Sequence, residues 1–241
     1  MKRVLGHLRR ADEDFNMIEE NDTVALGVSG GKDSMALLYA LHLYKNFCRV
    51  PFELVAVTVD LGFPGFSTAT IADYCASIGV EFICVTTHIS KIVFDARQES
   101  NPCALCAKMR KGALFTELIR RGISKCAFAH HRDDCLESLF MSMIYEGRIR
   151  TFKPKTYLDR KGITLIRPLV YLGENEIISA AARHALPVVQ SPCPAAGQTK
   201  REETKRLLAQ MEASNPKLRD TLLTALKNTA QYSLWDDATA E

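Results

Sequence analysis

Short apolar runs alternate with longer segments of helical spacing through the first 145 residues or so, in a regular order. Thr23-Val24-Ala25-Leu26-Gly27-Val28 is a compact apolar run ending in a glycine-rich turn, the pattern of a buried strand feeding a loop. From Asp33 to Lys45, residues Met35, Leu37, Leu38, Leu41 and Leu43 recur at helical spacing. The same alternation predicts strands over 52–59 and 80–86, with a helix over 67–78 stopped at Gly79. A long helix is expected from about 102 to 121, ending at Gly122, then a strand over 125–129 and a helix over 132–145. Strands alternating with helices of this length imply parallel pairing through right-handed crossovers. The expected fold class is therefore α/β, a doubly wound and mostly parallel sheet in three layers.

Outside that region the rhythm is looser. Residues 7–19 carry Leu8, Phe15 and Ile18 among charges and predict a short lead-in helix. Residues 147–162 are basic and rich in turn formers, 163–166 read as one more strand, and 174–185 as a helix. Two helices are expected to close the chain, one capped by Thr199 with Glu202, the other by Asn215 with Pro216 at its first position. The last six or so residues are expected to fray. The resulting division is 1–22 as a lead-in, 23–190 as the α/β domain, and 191–241 as a C-terminal helical extension.

Composition narrows the setting. The 241 residues are 47% apolar and 24% charged, enough for one core of ordinary size, and a net charge of +3 permits a polyanionic partner without requiring one. No apolar run approaches the roughly 18 residues of a membrane span. Met1 to Arg10 lack the apolar core of a secretory signal, so a cytoplasmic location with no membrane association is expected. In a reducing compartment the eight cysteines read as buried thiols, metal ligands or reactive groups, not as disulfides.

The turn after the first strand, Ser29-Gly30-Gly31-Lys32-Asp33-Ser34, has the chemistry of a phosphate cradle. Two glycines let backbone N–H groups converge on an anion at a helix N-terminus, while Ser29 and Ser34 add hydroxyls and Lys32 a cation. A Walker A loop is excluded, because Asp33 stands where that loop has Ser or Thr and Leu26 where it has its first glycine. Asp33 beside a polyphosphate calls for Mg²⁺ or for the helix end. After the fourth strand, Ala129-His130-His131-Arg132-Asp133-Asp134-Cys135 falls on the same sheet edge. Its aspartates could bind Mg²⁺ and a histidine could donate to a phosphate, although a helix cap alone would use one carboxylate and no histidine.

Cys103 and Cys106 stand three apart at the start of the long helix, on one face, where the helix dipole favours thiolate. Zinc, a redox dithiol or an iron–sulfur cluster all fit a lone C-x-x-C, and no second pair follows at zinc spacing. Cys193, in Ser191-Pro192-Cys193-Pro194, is the third candidate, and three thiolates would leave one iron of a four-iron cluster open. Cys84 and Cys126 lie in strands and are expected in the core, whereas Cys135 is ambiguous.

The string S-G-G-K-D-S after a first strand resembles the PP-loop ATP pyrophosphatases, which have a Rossmann-like three-layer sandwich. These enzymes cleave ATP between the α and β phosphates. The stretch Thr58–Phe66 lies where that superfamily holds adenine. The whole chain is similar to the TtcA family of tRNA 2-thiocytidine synthetases. The similarity rests on Asp14–Ile18, the loop, Pro64-Gly65-Phe66, Cys103-x-x-Cys106 with Met109–Gly112, and His130–Asp134. Pro154-Lys155, Arg167-Pro168-Leu169 and Cys193 complete it. The resemblance implies ATP bound by Ser29–Ser34 with Val57, Val59 and Asp60, and Mg²⁺ near Asp33. It implies catalytic roles for Asp33, His131, Asp134 and Lys155, and a [4Fe-4S] cluster on Cys103, Cys106 and Cys193. It further implies adenylation of the C2 oxygen of a tRNA cytidine, at position 32 of the anticodon loop, and its replacement by sulfur from a cysteine-desulfurase-type donor. Homodimers are usual in the family. The chain departs from the pattern at Ala196, where a second late cysteine is common, and at Ala129, in place of glycine.

Seven basic residues (Arg148, Arg150, Lys153, Lys155, Arg160, Lys161 and Arg167) face two acidic ones, Glu146 and Asp159, between 146 and 167. Composition alone allows a solvated loop or a phosphate-tracking surface; the resemblance favours RNA. Competing readings are another PP-loop enzyme, either a uridine thiolase or a lysidine-synthetase-like ligase, and a non-catalytic ATP-binding iron–sulfur regulator.

Overall fold

The computed structural model describes residues 1–97, 102–190, 192–194 and 200–228. The six strands are β1 (Asp22–Gly27), β2 (Phe52–Asp60), β3 (Glu81–Thr86), β4 (Lys125–Ala127), β5 (Lys155–Leu158) and β6 (Ile163–Ile166). They form one sheet in the order β3-β2-β1-β4-β6-β5, parallel throughout except for β5 against β6. The helices are α1 (Lys2–Phe15), α2 (Lys32–Tyr44), α3 (Ala69–Ser77), α4 (Pro102–Arg120), α5 (Arg132–Glu146), α6 (Glu174–Arg183), α7 (Lys200–Ser214) and α8 (Leu218–Lys227).

The sheet is double-sided because its strands are apolar at nearly every position. On one face Ala25, Val55, Val57, Ile83 and Cys126 pack under Leu114, Phe115 and Leu118 of α4. The alternate residues Val24, Leu26, Leu54 and Ala56 are also buried, under α2, whose Met35, Leu37, Leu38 and Leu41 are fully enclosed. The chain runs outward from β1 to β2 and β3, then returns to β4 and continues the other way to β6. The strand order therefore reverses between β1 and β4, where an open α/β sheet leaves a crevice beyond the carboxyl ends of its strands.

Several expectations are corrected. The first helix spans Lys2–Phe15, earlier than periodicity implied, because Asn16 adopts a left-handed φ of 46° and ends it. Asp12, 1% exposed, then accepts the Ile18 N–H and the Tyr44 hydroxyl, both at 2.8 Å, anchoring the turn. Burial and that carboxylate together raise the Tyr44 pKa. The antiparallel edge strand β5 lies in the basic, turn-rich stretch read as loop, and a π-helical segment, Lys91–Arg97, precedes α4. Cys126 is core as expected, its thiol pushed up to about 12 by burial. Cys84 is exposed instead, since β3 is an edge strand with less covering it. Helix α8 starts at Leu218; Asn215 closes the preceding turn by accepting the Lys217 N–H at 3.3 Å. Asn101, Thr199, Ala196 and the chain end at 236–241 lie outside the described residues.

Chain contacts define two compact units, Met1–Cys135 with Phe152–Thr199 and Leu136–Thr151 with Lys200–Glu241. The sheet, α1 and Cys193 belong to the first. In the second, Arg201 pairs with Glu137 at 3.3 Å, and the Tyr145 hydroxyl donates to Glu203 at 3.1 Å. Among the described residues no helix is long and apolar enough to cross a membrane.

Candidate active site

The loop between β1 and α2 is held by its own hydrogen bonds. Ser34 Oγ donates to the Gly31 carbonyl at 2.9 Å and accepts the Ser29 N–H at 3.2 Å, while Ser29 Oγ accepts the Gly31 N–H at 3.3 Å. Gly30 has a φ of +82°, and a Cβ there would stand 3.1 Å from Val189 Cβ and 3.2 Å from Ile71 Cδ1. Only glycine suits both the backbone angle and the close approach. The Val189 N–H donates to the Gly30 carbonyl at 2.9 Å, so the segment leading to Cys193 is tied to the loop.

A cavity of about 460 Å³ opens above this loop and spans the carboxyl ends of β2, β1 and β4. Ser29, Gly31, Asp33 and Ser34 form its floor. Val57, Thr58, Val59, Leu61, Phe63 and Phe66 line the β2 side, and Phe128, Ala129, His130 and Asp134 the β4 side. Arg110 and Lys111 of α4 and Pro192 also reach it. Asp60 stays outside that lining: its Oδ1 accepts the Gly62 N–H at 2.9 Å and shapes the turn after β2. Gly62 there is obligatory, with a φ of +77° and the Thr87 carbonyl 2.6 Å from any Cβ.

The acidic groups divide by role. Asp33 Oδ1 is buried and carries no hydrogen bond, which suits a carboxylate oxygen awaiting a cation. His131, 4% exposed, lies with Nε2 3.3 Å from Asp134 Oδ2 and 4.0 Å from Asp33 Oδ1, bridging the two carboxylates. Asp133 faces elsewhere: it pairs with Arg132 at 3.1 Å and caps α6 by accepting the Glu174 N–H at 2.7 Å. Lys32 is also turned from the cavity, its amino group 2.9 Å from Glu174 and 3.1 Å from Asp33. Burial opposes the Lys32 charge, but these two carboxylates outweigh it and raise the pKa. Lys155 is not brought to the cavity; its amino group donates to the Asn16 carbonyl and pairs with Glu19 at 3.3 Å.

Cys103, Cys106 and Cys193 come from α4 and from the segment after Val189. Cys106 feels both other thiols, and its pKa is raised by burial first, with Cys193 and Cys103 adding to it and Arg110 opposing. Burial thus works against thiolate at Cys106, contrary to the expectation from the helix start. Among the described residues no three His, Cys, Asp or Glu side chains already stand at metal-ligand spacing. Cys103 and Cys106 on α4 and Cys193 beyond Val189 are soft sulfur donors of the kind an iron–sulfur cluster takes, and a bound cluster would deprotonate them.

The basic stretch is thinned by folding. Arg167 is buried, Arg150 pairs with Glu146 at 2.8 Å and Lys155 is engaged, leaving Arg148, Lys153, Arg160 and Lys161 exposed. Sequence reasoning missed Arg110, Lys111, Phe128 and Val189 as cavity or loop neighbours, since nothing local to them signals the crevice above β1.

A cradle after β1, a carboxylate–histidine element after β4 and a cavity across the switch point define a nucleotide-binding α/β domain. Residues 6–210 match the PP-loop domain, and the chain belongs to that family. Within it, the chain belongs with the proteins named tRNA-cytidine(32) 2-sulfurtransferase. It is 37% identical over 238 residues to the one from Geobacter metallireducens, covering 98% of this chain and 93% of that protein. The protein of the same name from Geobacter sulfurreducens matches at the same identity and coverage. Among solved structures, the fold is that of the U34-tRNA thiolase NcsA from Methanococcus maripaludis with its [4Fe-4S] cluster. The TM-score is 0.78 at 23% identity, over 98% of this chain and 80% of that one.

Proposed function

We propose that this protein is an ATP- and iron–sulfur-dependent tRNA sulfurtransferase that replaces the C2 oxygen of a cytidine, at position 32 of the anticodon loop, with sulfur. The observation that carries this reading is the meeting of two chemistries at one cavity. Its floor is the Ser29–Ser34 cradle, and the helix bearing Cys103 and Cys106 supplies Arg110 and Lys111 to its wall.

Ser29, Gly31 and Ser34 receive the phosphates of ATP, and the apolar β2 side around Val57 and Val59 receives adenine. Asp33, whose Oδ1 carries no hydrogen bond, would hold Mg²⁺, which would neutralise the departing pyrophosphate. His131 stands between Asp33 and Asp134 to position the two carboxylates. The C2 oxygen attacks the α-phosphorus and pyrophosphate leaves; sulfur at the sulfide level then adds at C2 and AMP departs with the oxygen. Activation matters because an amide-like oxygen is otherwise a poor leaving group. Cys103, Cys106 and Cys193 would hold a [4Fe-4S] cluster, whose chemistry would be to bind and present the incoming sulfur.

A cysteine-desulfurase-type protein delivers the sulfur as a persulfide, which a thiol reductant brings to the sulfide level with two electrons, and the enzyme works in the cytoplasm. Exposed Met143, Ile144, Tyr145 and Ile149 in the second unit support a homodimer. Exposed Arg148, Lys153, Arg160 and Lys161 support phosphate contacts to tRNA, so affinity is expected to fall steeply with salt. The test is mass spectrometry of tRNA nucleosides from cells lacking the gene. Loss of 2-thiocytidine is expected, and unchanged thionucleosides would overturn the reading.

A further inference from the structure

The two ends of the cavity differ in chemistry. The β2 end is lined by Val57, Val59, Leu61, Phe63 and Phe66, with Thr58 among them. At the β4 end, half-buried aromatic rings meet the Arg167 guanidinium, with the Lys111 charge close to it. Phe128 and His130 line the cavity and contact each other edge to face, with centroids 5.7 Å apart. Phe152 stacks on His130 at 5.1 Å with a tilt of 39°, and the Arg167 guanidinium lies over Phe152 at 4.8 Å.

Arg167 is 8% exposed, and its Nε is buried without a hydrogen bond. Its Nη1 donates to the Lys153 carbonyl. Burying a guanidinium is costly, and here the Lys153 carbonyl, the Thr156 hydroxyl and the face of the Phe152 ring offset it. Lys111 of α4 lines the cavity close enough to Arg167 for their charges to interact, Arg110 lines the cavity beside it, and neither has a carboxylate partner among the described residues. Burial, Arg167 and Arg110 together push the Lys111 pKa down. Crowded cations without a counter-charge are what a polyanion would relieve.

Cavity-lining rings beside uncompensated cations are the two elements used to take a single-stranded nucleic acid: a surface for the base and charges for its phosphates. A base whose C2 oxygen is to react must also leave its stack. β2 and β4 flank β1 on opposite sides, at about 5 Å each, so a group at the β4 end sits across the phosphate cradle from one at the β2 end.

Resting on the function proposed above, we infer that the β4 end is the substrate-base site. A pyrimidine flipped out of an RNA loop stacks on His130, backed by Phe152, while Arg110 and Lys111 receive its flanking phosphates. Arg167 is a positioning residue for Phe152. His130 acts here through its ring face, distinct from the neighbouring His131 between the two carboxylates.

The test uses the full-length, cluster-loaded protein and an anticodon stem-loop RNA carrying fluorescent pyrrolo-cytidine at the target position. Binding by the wild type should quench the fluorophore. His130→Ala should lose the quenching and raise KM for unlabelled tRNA roughly tenfold, the effect of one lost base stack. His130→Phe, which keeps a ring but no titratable nitrogen, should restore both. Phe152→Leu should fall between His130→Ala and wild type, with kcat less affected than KM and ATP affinity within about twofold of wild type. If His130→Phe behaves like His130→Ala, the stacking role is wrong. If Phe152→Leu loses ATP affinity and RNA quenching together, the wall belongs to the nucleotide and the inference falls. A wild type that thiolates tRNA with no quenching overturns the base site alone. A wild type that neither binds nor thiolates tRNA overturns the function as well.

Discussion

The phosphate cradle and the cysteine site lie near one cavity yet are built in opposite ways. Ser29–Ser34 is a single turn closed by its own hydrogen bonds, with each serine bonded to backbone two to five residues away. The cysteines come from two segments more than 80 residues apart in sequence, and the half-buried Cys106 has a raised pKa. A site written into one turn is formed when the sheet forms. A site assembled from distant thiols needs its metal to deprotonate and draw them together. Among the described residues the hydrogen bond from Val189 to Gly30 joins the two.

The largest effect should come from breaking the cysteine side alone. Cys106→Ser should abolish absorbance near 400 nm and lower thiolation more than a hundredfold, exceeding the loss typical of an outer-shell partner. ATP binding, followed by calorimetry, should persist; its loss would mean the two regions form as one. Breaking the cradle side alone, Asp33→Asn should lower kcat by about 10²–10³ and weaken the Mg²⁺ dependence, with the cluster spectrum intact. Normal Mg²⁺ dependence in that variant would remove Asp33 from the metal.

Gly30→Ala should damage both regions, since its φ of +82° and the contacts with Val189 and Ile71 strain the loop and its link to the Cys193 segment. A loss of about 1–3 kcal/mol in denaturant unfolding is expected, with weaker ATP binding and poorer cluster retention. Asp133→Ala should cost about 1 kcal/mol as a lost helix cap and spare most of kcat, whereas Asp134→Asn should do the reverse. Equal kinetic losses would contradict the division between them.

The smallest effect concerns pH. Hydrogen bonds from Lys125 and then Lys155, with their charges, hold the Glu19 carboxyl below its usual range. Its folded pKa is depressed, so its contribution is present above the ordinary carboxylate range and lost as pH falls through the folded value. Glu19→Gln should flatten acid unfolding slightly in that window and change nothing at neutral pH beyond the loss of an exposed pair.

Much of this was legible because it is local. Apolar runs placed β1–β4 within a residue or two, and Ser29–Ser34 read as a cradle because its atoms bond to one another. Non-local features stayed hidden. Nothing in the string 155–158 announces β5, whose pairing depends on β6 arriving beside it. The two aspartates after β4 look equivalent in sequence and are separated only by α6, whose N-terminus claims Asp133. Lys155 shares the motif stretch but is drawn to the Asn16 carbonyl, released when α1 ended. Arg110 and Lys111 reach the cavity because α4 crosses the sheet, a placement that depends on Leu114 and Leu118 packing on β1 and β2.

The most direct test is product stoichiometry with the cluster-loaded protein, tRNA, ATP, Mg²⁺ and sulfide under anaerobic conditions. One AMP and one pyrophosphate should form for each 2-thiocytidine recovered by nucleoside mass spectrometry. ADP as the product, or AMP without any thionucleoside, would contradict the account.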